Sequence, residues 1–102
     1  MPNIRVAEAA GEDLEDIWQY VAKNNAEAAR RLIKEITGKF KLLRDHPNIG
    51  REENTLLGAL RSFPVRNYII FYKPFDKGIE ILRILHSARD VDNILGRFID
   101  LS

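Results

Sequence analysis

Residues 61–90 read Arg-Ser-Phe-Pro-Val-Arg-Asn-Tyr-Ile-Ile-Phe-Tyr-Lys-Pro-Phe-Asp-Lys-Gly-Ile-Glu-Ile-Leu-Arg-Ile-Leu-His-Ser-Ala-Arg-Asp. Two apolar runs, 68–73 and 79–86, flank Pro74-Phe75-Asp76-Lys77-Gly78, a turn sequence whose glycine suits positive φ. So short a connection forces the strands to pair antiparallel. A third run, 59–63, is closed by Pro64 and completes a meander. Strict alternation puts Ile79, Ile81, Arg83 and Leu85 on one face of the last strand, and Glu80, Leu82, Ile84 and His86 on the other. A guanidinium is rarely buried without a partner. Either the face carrying Arg83 is open to solvent or a partner, or Arg83 is locked in an internal ion pair with an acid such as Glu80, Asp90 or Asp92.

The other half of the chain has helical spacing. After a short strand at 3–7, Ala10, Leu14, Ile17, Trp18 and Val21 form one stripe of a helix over 8–23. Its N-cap position is Ala7, which lacks a capping side chain worth about 1 kcal/mol. The acids that follow offset part of this by facing the positive end of the helix dipole. Asn24-Asn25 closes this helix and caps the next, over 26–45, with Ala29, Leu32, Ile33, Ile36, Phe40 and Leu43 as its stripe. Pro47 ends it. Leu14, Trp18, Ile36 and Phe40 are expected in the core. So short a break makes an antiparallel helical hairpin whose two stripes cannot both be satisfied by each other, so at least one must lie on a sheet. Residues 47–57 read as a polar loop, and 91–102 as a tail packing on the body. The expected fold is α+β: a single domain, 1–102, of order βααβββ, with the helical hairpin on one face of an antiparallel sheet.

Composition excludes more than it selects. The 102 residues suffice for one core. With no cysteine there is no disulfide framework and no thiolate metal site. No apolar run approaches the ~20 residues of a membrane span, and the N-terminus lacks a signal-peptide apolar region, so a cytoplasmic protein is expected. Net charge is only +1, but it is segregated. Residues 8–16 hold Glu8, Glu12, Asp13, Glu15 and Asp16 and no base, whereas 30–44 hold Arg30, Arg31, Lys34, Lys39, Lys41 and Arg44 against Glu35. This is either two solvated faces that attract one another or a basic surface for an acidic partner or nucleic acid. Gly-rich phosphate loops, nucleophile elbows and metal-ligand clusters are absent, and no cofactor is expected. His46, at a helix end beside Pro47, reads as structural. The helical hairpin lacks a basic recognition helix, so sequence-specific DNA binding by the chain alone is not expected.

Arg61-Ser62-Phe63-Pro64-Val65, Tyr68-Ile69-Ile70-Phe71-Tyr72 and Ile79 to Asp90, taken in order, resemble the C-terminal half of the ParE-type toxins of the RelE/ParE superfamily. Asp13 to Val21 fits the family's first helix and His46-Pro47-Asn48-Ile49-Gly50-Arg51 the end of its second, so the likeness covers roughly 4–91. The resemblance implies a toxin of a type II toxin–antitoxin system. Such a toxin poisons DNA gyrase by binding, without covalent chemistry, and is neutralised by a cognate ParD-like antitoxin in a hetero-oligomer. Arg61, Arg66, Arg83, His86 and Arg89 are the candidate partner-binding residues. The superfamily's other branch cuts mRNA at the ribosome. In that alternative Arg61, Arg66, Arg83 and Arg89 bind phosphate and His86 moves protons. RelE-like members use a C-terminal tyrosine, and Ile94 stands at about its place here.

Overall fold

The structure is a computed structural model that describes residues 3–53 and 60–87. The element order is β1 (Asn3–Val6), α1 (Glu8–Ala22), α2 (Ala26–Asp45), β2 (Arg51–Glu53), β3 (Leu60–Val65), β4 (Tyr68–Phe75) and β5 (Gly78–His86). One sheet runs β1-β5-β4-β3-β2. The meander pairs antiparallel as its turns require, and β1 adds to the free side of β5 in parallel, from Asn3↔Gly78 to Val6↔Ile81. The α+β helical-hairpin-on-sheet architecture is the expected one, with one strand more and with the parallel β1 making the sheet mixed rather than the antiparallel one expected. β2 lies inside the segment read as a polar loop, and pairs with 60–62 of β3. Its sequence, Arg-Glu-Glu, carries no apolar signal because an edge strand can be held by backbone pairing alone. Pro64 does not close β3 but lies within it, opposite Ile69.

Both helices begin and end as their local sequence dictates. Asn25 caps α2, its side-chain oxygen accepting from Ala28 N–H at 3.0 Å. Ala7 makes no side-chain cap, and its N–H donates instead to Ile81 O at 2.9 Å, so the chain passes from β1 into α1 while still tied to the sheet. Ala10 and Ile17 of α1 and Ile36, Phe40 and Leu43 of α2 are buried against Val65, Tyr68, Ile70, Tyr72, Ile79, Ile81 and Ile84. Leu14 is partly buried at this cluster. Trp18 is not core: it is 36% exposed on the flank of the hairpin, a quarter-turn from Ile17, whose side of α1 meets the sheet.

The alternation expected along β5 breaks once. Phe71 pairs with Arg83 but Tyr72 with Ile81, leaving Leu82 as an extra residue in a β-bulge. Beyond it the parity reverses. Ile84 joins Ile79 and Ile81 in the helix-side core, whereas Leu85, with Leu82 at its margin, belongs to a second cluster with Leu60 and Phe71. Arg83, opposite Phe71, therefore stands on the face of Leu85 and not on that of Ile81. The tail 91–102, Arg89, Asp90, Asp92 and Ile94 lie outside the described residues. No described helix is long and apolar enough to cross a membrane.

Candidate functional site

Of the basic residues singled out in the sequence, Arg61 stands on β3, Arg66 in the β3–β4 turn and Arg83 and His86 on β5, each with its own partners. Arg83 is largely enclosed, though less so than Arg61. Its Nε and Nη2 donate to the two carboxylate oxygens of Asp13 at 2.8 and 2.9 Å, and Asp13 Oδ2 also accepts from Ile84 N–H at 2.9 Å. The side chains are 26% and 11% exposed. β1 pairs with β5 only as far as Ile81, so the next stretch of β5 edge has no strand beside it. The Asp13 carboxylate from α1 takes that place. Arg83 is thus in an internal ion pair, with Asp13 as its acid. The signal was in the sequence: Asp13 falls on the α1 stripe, three residues after Ala10 and four before Ile17, where an acid requires a partner.

Arg61 is near the start of β3, two strands across the sheet from Arg83. Its Nη1 donates to Gly50 O at 2.7 Å and Asn48 O at 3.2 Å, and Nη2 to Glu52 at 3.2 Å. Beside it the buried Tyr72 hydroxyl donates to Pro47 O at 2.8 Å and accepts from Gly50 N–H at 2.9 Å. Gly50 lies against that ring: an added Cβ would come within 2.4 Å of the phenol oxygen. The segment 46–50 is therefore a loop clamped by Tyr72 and Arg61, leading into β2 at Arg51. His46 is the C-cap residue of α2, its backbone N–H donating to Leu42 O.

Burial pushes the Tyr72 phenol above its ordinary value, against the lowering effects of the Gly50 N–H and Arg61. Because the unfolded phenol ionises first, this contribution to stability is present below pH 10.0 and is lost as pH rises past it. Tyr72→Phe strands two backbone groups and is expected to cost about 1–3 kcal/mol at neutral pH. It should also flatten the alkaline decline. Denaturant titrations at about pH 8 and about pH 11 check both, given the reference phenol value near 10. A parent and variant declining equally above pH 10 would contradict the linkage.

Arg66 and His86 share the end opposite Arg61, about 16 Å away for five residues of strand. Arg66 occupies the β3–β4 turn at φ 55, an uncommon conformation for a residue with a side chain. Its Nε bridges both oxygens of Glu35 on α2, while its side chain stays 68% exposed. His86 pairs with Tyr68 across the strands and meets its ring edge-on at 5.3 Å. Arg61, Arg66, Arg83 and His86 are thus spread over two ends and one edge of the sheet. A hollow of ≈ 310 Å³ lies between the helices, lined by Gly11, Leu14, Glu15, Trp18 and Ile33. Another of ≈ 370 Å³, beside β2 and β3, is lined by Ile49, Arg51, Ser62, Phe63, Pro64 and Ile69. Neither has His86, Arg61, Arg66 or Arg83 in its lining. Among the described residues no group of acids and histidines could hold a metal ion.

Comparison with known proteins gives this arrangement a family. Toxin ParE1 of Caulobacter vibrioides is 27% identical over 97 residues, covering 94% of this chain and all of that protein. Toxin ParE3 of the same organism is 30% identical, covering 92% and 94%. Toxin ParE1 of Mycobacterium tuberculosis is 27% identical over 89 residues. A solved structure described as the chromosomal ParDE TA system from P. aeruginosa has the same fold, with a TM-score of 0.70 over 84% of this chain and 96% of that one at 24% identity. The family described as the ParE toxin of type II toxin-antitoxin system, parDE, matches residues 4–91, and the chain belongs to it.

Proposed function

We propose that this ParE-family toxin inhibits DNA gyrase by binding and is held inactive by a ParD-like antitoxin. The observation that carries this reading is the family match across 4–91, supported by relatives named as ParE toxins that align over nearly their whole length. A structural neighbour described as a ParDE system supports an antitoxin as partner. The disposition of the basic residues favours binding over catalysis. A ribonuclease needs several cations and a proton-transfer group converging on one phosphate. Here Arg61 and Arg83 hold backbone and carboxylate groups, and His86 lies against Tyr68 at the end of the sheet opposite Arg61. Arg66, with most of its side chain in solvent, is the one best placed to meet a partner's acid.

Pulse labelling after induction separates the two targets. Early loss of DNA synthesis with translation intact is expected, together with inhibition of gyrase supercoiling by the purified chain and its relief by the antitoxin. Reproducible cuts within codons of ribosome-bound mRNA, lost in His86→Ala, would replace the gyrase reading with the endonuclease one.

A further inference from the structure

The segregated charge of the hairpin is only partly neutralised within it. The three acids of α2 are all engaged: Glu27 by Arg30, Glu35 by Arg66 and Asp45 by Arg44. Among the described residues, no carboxylate pairs with Arg31, Lys34 or Lys41. Nor does any acid of α1 reach across to a base of α2. Arg31, Lys34, Gly38 and Lys41 are spaced by three, four and three residues, which makes them one ridge of the helix, and all four are exposed. The ridge is about 15 Å long at 1.5 Å per residue. At its middle, a Cβ added to Gly38 would meet nothing within 4 Å, so a ligand can approach the helix backbone between the flanking cations.

We propose that this ridge binds the phosphodiester backbone of duplex DNA without reading its sequence. Fifteen ångströms of duplex present roughly nine phosphate charges to three unneutralised cations. An acidic protein segment would match the charge but needs apolar anchors to offset its ordering. The ridge offers a single apolar side chain, Leu42 at its margin, too little to anchor such a segment. A phosphate backbone needs only point charges, because released counterions supply the entropy. The proposal goes beyond gyrase inhibition and is tested without gyrase, so either can fail alone. If both hold, the toxin meets its target with the DNA on that target as a second contact.

Fluorescence anisotropy with the full chain and a labelled duplex of arbitrary sequence reads the effect. Three phosphate contacts predict a log–log salt slope of about −2.7, or about a 40-fold loss of affinity from 50 to 200 mM salt. Each of Arg31→Gln, Lys34→Gln and Lys41→Gln should reduce the slope by about 0.9, and the triple variant should all but abolish binding. Lys39→Gln, half-buried off the ridge, should leave the slope unchanged. Arg31, Lys34 and Lys41 are exposed helix sites, where thermal melting of the variants should stay close to the parent's. Unchanged slopes in the single variants would overturn the proposal. So would a Lys39→Gln effect equal to theirs, or tighter binding of polyglutamate than of duplex at the same salt.

Discussion

Gly78→Ala is expected to detach β1 from the sheet and cost about 3 kcal/mol or more. Gly78 opens β5 at φ 151, a region essentially closed to residues with a side chain. It also faces Asn3 across the parallel pair, where an added Cβ would stand 1.9 Å from the Asn3 carbonyl oxygen and 2.5 Å from its nitrogen. Neither atom can yield as a flexible side chain would, because both belong to the β1 backbone and Asn3 N–H donates to Lys77 O. Losing β1 also frees the Ala7 N–H from Ile81 O, which anchors the start of α1. Hydrogen exchange would show this directly, as loss of protection at Ile4 to Val6 together with a lowered melting temperature. An alanine variant with the parent's protection and melting temperature would mean that β1 does not dock through this register.

Asp13→Ala should be comparably damaging, at about 3–5 kcal/mol, because it leaves the Arg83 guanidinium and the Ile84 N–H without their shared acceptor. Arg83→Ala should cost less, since Asp13 then keeps the Ile84 N–H. An order of Asp13→Ala above Arg83→Ala in chemical denaturation is the expected signature of a carboxylate that closes a strand edge. The same pair has a functional consequence. If Arg83 serves the fold, calorimetric titration of folded Arg83→Ala with antitoxin should give nearly the parent's affinity. A loss of about 2 kcal/mol or more would show that the guanidinium leaves Asp13 for a partner's acid.

Much of the architecture was legible because it is local. The 3.6-residue period, the Asn25 cap and the Pro47 stop specify α2 over Ala26–Asp45, and the turn at Gly78 sets the β4–β5 hairpin. Family membership was readable too, from the ordered set of short sequences between residues 4 and 91.

What the sequence alone could not place were relations with no local period. Extending one period through β5 put Arg83 and Leu85 with Ile81. The bulge at Leu82 reverses that parity, and nothing in an apolar run marks where an extra residue sits. Trp18 fits the α1 stripe by count, yet it flanks the hollow beside α2, because the sheet covers only the side of α1 centred near Ala10 and Ile17. The Asp13–Arg83 pair joins residues 70 apart, and the Tyr72 clamp joins residues 22 and 25 apart. Sequence shows each of these groups only as an isolated charge or hydroxyl on an apolar face, a polar group in need of a partner. Which partner meets it depends on which elements are neighbours, and only the packing of hairpin on sheet decides that.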